Sequence, residues 1–520
     1  MDSVTSPKCA PDPNLKIHVK DIMVPKDPAY VQVGPVDLKC AMFAPALYDT
    51  NMRVAGMVKR IGGALPYVQN SKFADLNRFV IDVAIPFLFP DPQFRLKSIG
   101  EYLEGRPFTL NKTENWKRFH DDHMGKLGRC EKREQYVATH TKLEFYSEPK
   151  LYRGIYARSD RFKASYGPLI SSIEDVVYKL KYFIKSIPVI NRPKFIYEMF
   201  GEDLVYTNDH SAFESSNNPE LMNAILRPIY LHIASEYGDL VDDYMDALTA
   251  RQIIKARDYV ANTRGRRMSG EMDTSLGNGL VNLLTIMYVM HLHGLTLEEM
   301  IIIIEGDDSL FKKLGKNITA DDFKSLGFNA KLECVGACYE SSFCGMVFSP
   351  DDFVCIADPI KVLLKLGWSD AKYIDASQRV KDELYRSKLM CAMVQYYNCP
   401  VIYPYVWSEF QRIGPGKTRS IGYWYDDVVS QFTMIEVNVK PKIRSSTRAH
   451  MERVFGHTTS QQLNFENDLK LDLSSYFNVP HNFVEYASLH LLPIFKTDKT
   501  SFAQCAKQFY PIAVPKTWLY

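Results

Sequence analysis

The most apolar stretch of the chain lies in "EEMIIIIEGDDSLFKK" (298–313). Its four isoleucines run without alternation, which predicts a strand buried on both faces. The run stops at Glu305, Gly306, Asp307 and Asp308 and resumes with Leu310 and Phe311. Strand, Gly-Asp-Asp, strand predicts a hairpin with a polar tip. "DLVYTNDHSAFE" (203–214) reads as another strand running into a turn. Helical spacing behind Pro219 predicts two helices over 219–256. After Ser269 and Gly270, the polar residues Thr274, Asn278 and Asn282 recur every four positions on an otherwise apolar helix. Such a stripe inside a core needs hydrogen-bond partners. The first sixty residues, rich in Pro and Val, predict an extended arm or short strands. Residues 142–167 read as a basic and aromatic segment with little amphipathic helix. The last 170 residues carry more helix signal, broken by loops such as 412–420, and no internal repeat or low-complexity tract is present.

The longest apolar run, 280–295, is short for a bilayer span and contains Asn282, Thr285, His291 and His293, so a core helix is expected and no direct membrane span. A hydrophobic content of 46% with 24% charged residues is that of a globular protein. The net charge of +2 confines any affinity for nucleic acid to local basic patches. Two stand out, "RQIIKARDYVANTRGRR" (251–267) and "KPKIRSSTRAHMERVFGH" (440–457). Ten scattered cysteines and no signal peptide suggest free thiols in a reducing compartment.

Two carboxylates on one rigid turn repel each other unless a cation lies between them, and hard oxygen ligands suit Mg²⁺ or Mn²⁺. An EF-hand lacks support, because its alternating ligands and closing Glu are missing. A second carboxylate strand is supplied by Asp209 with Glu214 five positions later. Odd spacing on a strand sends side chains to opposite faces, so these two converge only if the chain leaves strand geometry between them. Two decoys are set aside. "GPGKTR" (414–419) lacks the first glycine of a phosphate-binding loop, and Cys334, Cys338, Cys344 and Cys355 do not have the spacing of a zinc finger.

Together these segments resemble the RNA-directed RNA polymerases of positive-strand RNA viruses, the tombusvirus-like (carmovirus-like) group above all. That family's first motif, Asp-x4-Asp, is matched by Asp209 and Glu214, with Glu in place of the second Asp. Its second motif is matched by Ser269, Gly270, Thr274 and Asn278, and its third by Gly306, Asp307 and Asp308. The basic fingers motif is matched by Lys142, Glu144, Arg153, Arg158, Ser159, Arg161 and Gly167, with Ala157 and Asp160 replacing two family prolines. "FKSLGFNAKLE" resembles the fourth motif, with Lys331 at its lysine, and "SSFCGMVF" resembles the primer-grip hairpin through Phe343 and Cys344. The likeness covers roughly residues 140–350.

The resemblance implies an α+β right-hand polymerase of fingers, palm and thumb, with an antiparallel palm sheet flanked by helices. It places an extension at 1–60, fingers with a basic clamp loop at 61–190, palm at 191–216, a fingers insertion at 217–262, palm at 263–350, and thumb and C-terminal region at 351–520. Asp209, Asp307 and Asp308 are then the ligands of Mg²⁺ (or Mn²⁺), and Lys331 the proton donor to pyrophosphate. Arg153, Arg158, Arg161 and Lys163 would clamp the triphosphate. Glu214, Ser269, Gly270, Thr274 and Asn278 would read the ribose, with Glu214 holding Asn278. Implied partners are single-stranded RNA template, duplex RNA product, NTPs and other viral or host replication proteins, in the host cytoplasm. The rival readings are a catalytically silent RNA-binding scaffold and a reverse transcriptase.

Overall fold

The structure, a computed structural model, describes residues 12–20, 30–37, 50–104, 106, 108–124, 136–142, 144, 151, 153–210 and 212–479. Its strands are β1 (Lys16–Val19), β2 (Tyr30–Gln32), β3 (Tyr136–Thr141), β4 (Gly154–Arg158), β5 (Val205–His210), β6 (Gln252–Lys255) and β7 (Tyr259–Thr263). They continue with β8 (Ile302–Glu305), β9 (Asp308–Lys312), β10 (Ala330–Val335), β11 (Val347–Phe348), β12 (Cys355–Ile356) and β13 (Trp368–Asp370). Helices make up most of the rest, so the fold mixes helices with several small sheets.

The isoleucine run forms β8, and Ile302, Ile303 and Ile304 are fully buried, as a continuous apolar strand requires. It pairs with β9 in a hairpin, and β9, β5 and β10 complete a four-stranded antiparallel sheet in the order β10-β5-β9-β8. The outer edge of β8 is covered, because Ile304 N–H donates to the Tyr182 carbonyl at 2.7 Å. Behind this sheet packs the helix Thr274–Leu292, buried from Leu276 through Met290. By length and composition that helix could cross a membrane, but 83% of its apolar window lies inside the protein, the packing of a core helix.

A second, five-stranded sheet has the order β1-β7-β6-β3-β4, antiparallel except where β3 runs parallel to β6. Two-stranded pairs join β11 to β12 and β13 to β2, the latter tying an N-terminal strand to the chain some 340 residues on. The C-terminal helices share a separate core around Leu389, Met393, Val406 and Met451. Tyr403 and Tyr405 are buried in it.

Three elements depart from the sequence reading. Residues 160–177 form a helix, because Ser159 caps it by accepting from Phe162 N–H at 3.2 Å, and Phe162, Tyr166, Leu169, Ile173 and Val177 fill one buried stripe. The two helices expected over 219–256 are present as Pro219–Ile233 and Gly238–Thr249, but the chain then turns into the β6–β7 hairpin. Residues 50–57 are helical, not extended.

Candidate active site

The β8–β9 hairpin closes through two residues, since Glu305 pairs with Asp308. Gly306 takes φ +61° at the first central position, and Asp307 keeps a negative φ, the arrangement of a type II′ turn. The turn does not stand alone. Asn282, last of the polar stripe, donates from Nδ2 to the carbonyls of Gly306 at 3.3 Å and Asp307 at 3.0 Å. The core helix thus fixes the backbone on which Asp307 is mounted.

β5 brings the other carboxylate strand alongside. Its last ladder pair with β9 is Asn208 with Ser309, so the backbone of Asp209 lies beside the head of β9, at Asp308. On the other side Asp209 pairs in register with the exposed Lys331 of β10. The chain then leaves strand geometry: Ala212 adopts φ +57° and a short helical turn, Phe213–Ser216, carries the buried Glu214. This is the break that convergence of positions 209 and 214 requires. Ser211 and the side chain of Asp209 lie outside the described residues.

The electrostatics point to one cluster. Asp307 reaches solvent at the tip, yet protein surrounds it closely enough to crowd its hydration. Crowding first, and then the negative charge of Glu214, push its carboxyl above the usual range, while the charges of Arg60 and Arg153 pull the other way. Arg60, on the helical turn Val58–Gly62, pairs with Glu214 Oε2 at 3.4 Å. No sequence pattern marks Arg60, which is 154 positions from its partner. Asp308 accepts a hydrogen bond from the thiol of Cys344, and burial first, followed by the charge of Asp308, raises that thiol. Cys344 sits at φ +53° in the tight turn between Phe343 and Met346, within the segment expected to form a hairpin. On the adjoining strand, burial drives the imidazole of His210 down to about 3, so it is neutral and hydrogen-bonds Asn208 at 2.8 Å.

Neighbouring carboxylate donors that repel one another suit a divalent cation, and Glu214, whose charge acts on Asp307 from the helical turn Phe213–Ser216, makes such a neighbour. Among the described residues no group of three His, Cys, Asp or Glu side chains is arranged to hold a metal ion. That set does not include the side chain of Asp209.

The basic segment is dispersed where a common clamp was expected. Arg153, paired with Glu144 at 3.1 Å and partly exposed, is the member whose charge reaches Asp307. Arg158 instead is buried, with Nε 2.6 Å from Glu271 Oε1 and a further bond to the Ala247 carbonyl at 3.2 Å. Its guanidinium is taken up inside the protein. Arg161 faces the helix Leu110–Met124, 4.0 Å from Asp122, and Lys163 lines a cavity beside Trp116. The physical reason is the switch from strand to helix at Ser159, which swings positions 161 and 163 away from the face used by Arg153.

The Ser269–Gly270 joint also has structural partners. Ser269 Oγ donates to the Gly154 carbonyl at 3.2 Å and accepts from Tyr156 N–H at 3.3 Å. Gly270 N–H donates to the Tyr156 carbonyl at 2.8 Å, and a Cβ on Gly270 would stand 2.7 Å from that oxygen. Thr274 donates to the carbonyls of Met268 and Glu271. The expected Glu214–Asn278 pair is not formed: Glu214 takes Arg60, and Asn278, buried, keeps an Oδ1 without a partner among the described residues. In the basic run 251–267, Arg264, Arg266 and Arg267 are committed to Glu220, Asp12 and Asp273, which leaves Arg251, Lys255 and Arg257 exposed. Arg448, in the later basic run, is likewise paired with Glu466 at 2.7 Å.

No curated protein matches the chain. Residues 242–402, which include the stripe helix, the Asp307 turn, Lys331 and Cys344 but neither Asp209 nor the basic segment, match the model of a family described as RNA dependent RNA polymerase, and this match supports an RNA-directed RNA polymerase of positive-strand RNA viruses, a nucleotidyltransferase.

Proposed function

We propose that the chain copies an RNA template by joining nucleoside triphosphates, in a right-hand polymerase whose palm is the four-stranded sheet β10-β5-β9-β8. The observation that carries this reading is the Asp307 turn, held by Asn282 and set beside the end of β5, where the charge of Glu214 raises the carboxyl of Asp307. Asp209, Asp307 and Asp308 would hold Mg²⁺ or Mn²⁺. When bound, such ions activate the 3′-hydroxyl and stabilise the leaving pyrophosphate.

The chain's own residues supply positioning. Asn282 keeps the turn fixed during the reaction. Cys344 restrains Asp308 through its S–H donor, and Arg60 restrains Glu214. Arg153 contributes the nearest cation of the basic segment for a triphosphate. Lys331, across the ladder from Asp209, would give a proton to the departing pyrophosphate. Asn278 presents an acceptor, unpartnered among the described residues, for a ribose hydroxyl. A site whose buried polar groups need a hydroxyl discriminates against the analogue that lacks one, which favours NTPs over dNTPs and RNA synthesis over reverse transcription.

Membership of the tombusvirus-like group, and work in the host cytoplasm alongside other replication proteins, belong to this proposal on the strength of the motif likeness. The test is template-directed extension with NTPs and with dNTPs, with and without divalent metal. Asp307→Asn should abolish incorporation and spare RNA binding; extension by that variant at more than a trace would refute the assignment.

A further inference from the structure

A cavity of about 340 Å³ runs beside the helix Asp160–Val177, and none of its lining residues belongs to the Asp307 cluster. Asp160, Lys163, Ser171 and Glu174 share one face of that helix, so the cavity is elongated: the fourteen steps from Asp160 to Glu174, at 1.5 Å rise each, extend about 21 Å. The other walls come from residues 102–116 and from Gly270 and Met272.

The lining separates three chemistries. Lys112 lies 3.5 Å from Asp160, which leaves Arg106 and Lys163 as cations with no carboxylate partner among the described residues. Arg106 is nonetheless fixed, with Nε donating to the Tyr102 carbonyl at 2.8 Å and its guanidinium 4.1 Å from the centre of the Tyr102 ring. Glu174 has no cation within ion-pair distance among the described residues, and burial raises its carboxyl above the usual range. Aromatic surface is supplied by Phe108, whose ring lies 5.0 Å from the buried Trp116 and carries Lys112 Nζ at 4.3 Å on its face. Trp116 is only 3% exposed, and its indole N–H has no hydrogen-bond partner among the described residues.

Cations interleaved with aromatic faces suit a phosphate joined to a flat base. A purely anionic ligand would be repelled by Glu174, and a purely apolar one would leave Arg106 and Lys163 uncompensated. The unpaired carboxylate narrows the base further, since it accepts best from two adjacent N–H donors, and guanine presents such a pair on one edge. We propose that this cavity is a second nucleotide site, taking a guanine nucleotide, free or within single-stranded RNA. Glu174 accepts from the base edge, and Arg106 and Lys163 hold the phosphate. Lys163 and Gly270 are residues the motif likeness assigns to the polymerase, but binding at this cavity does not depend on that reading.

Calorimetric titration of the full chain with GMP, CMP, guanosine and G-containing or G-free pentanucleotides, in the presence of chelator, tests this. GMP should bind saturably and more tightly than CMP. Glu174→Gln should weaken GMP by about tenfold or more and erase its advantage over CMP. Arg106→Gln should weaken GMP while leaving guanosine unchanged. Asp307→Asn should leave GMP binding intact, which separates this site from the carboxylate cluster even if the polymerase reading fails. Thermal melting of the Glu174 and Arg106 variants checks that both remain folded. A guanine preference seen only in pentanucleotides identifies RNA as the source, and one seen with GMP identifies the free nucleotide. Absence of any guanine preference in either form, or GMP binding that survives Glu174→Gln at full strength, would overturn the proposal.

Discussion

Replacing Arg158 separates two roles that share one position. In a triphosphate clamp, Arg158→Ala raises the KM for NTPs and leaves folding alone. In the structure, Arg158 and Glu271 are both without side-chain exposure and lie 2.6 Å apart, and the guanidinium also stands 4.9 Å from the centre of the Phe162 ring. Removing one member of a buried pair leaves the other uncompensated, at a cost of about 3–5 kcal/mol. Glu271 Oε2 already lacks a partner among the described residues, and none of them replaces the lost donor. We therefore expect Arg158→Ala to lower the denaturation midpoint sharply. Replacing Arg158 and Glu271 together by Met should recover most of the loss, because a well-packed apolar pair is often neutral relative to a buried ion pair.

The pH dependence has a definite sign. Burial raises the carboxyl of Glu271 in the native protein, and Arg158 is the main influence opposing that rise. Without Arg158 the folded-state pKa climbs further above the unfolded value. A raised carboxyl favours the folded state at low pH, and that advantage is lost as pH rises through the folded pKa. The deficit of the variant relative to wild type should therefore be smaller near pH 5 than near pH 8, read from urea midpoints at each pH. Unchanged midpoints together with a raised NTP KM would refute the buried latch and restore the clamp.

Asn282→Ala removes both bonds to the turn carbonyls, and we expect a stability loss of about 1–2 kcal/mol with kcat falling and KM for NTPs little changed; an unaltered kcat would show that the turn is held without it. Glu214 raises the carboxyl of Asp307, so Glu214→Gln should move the acid limb of the pH–rate profile to lower pH, and a limb that stays or moves up would exclude their coupling. Asn278→Ala should cut NTP incorporation more than dNTP incorporation, narrowing the ratio measured in single-nucleotide extension; an unmoved ratio places ribose reading elsewhere.

What the sequence made legible is what depends on spacing within one element. The isoleucine run, the Gly-Asp-Asp turn and the four-residue stripe each specify their own geometry, and the stripe's need for partners is met in part at the turn it supports. What stayed hidden depends on closure across the chain. Arg60 and Glu214 are 154 positions apart, and Arg158 and Glu271 are 113 apart, with no local pattern linking either pair. The helix at 160–177 was obscured by Gly167, Pro168 and the surrounding basic residues, although its buried stripe is regular. The clamp, however, could have been questioned from spacing alone. Arg153 and Arg158 are five apart on one strand run, since the ladder continues past β4 with Lys142 N–H donating to the Arg153 carbonyl. Odd spacing sends the two guanidinium groups to opposite faces of the sheet. One therefore turns toward Glu144 and the Asp307 cluster, and the other toward Glu271 in the interior. At positions 209 and 214 the same parity is broken by the turn at Ala212, but nothing interrupts the strand between 153 and 158, so these two arginines cannot grip one phosphate together.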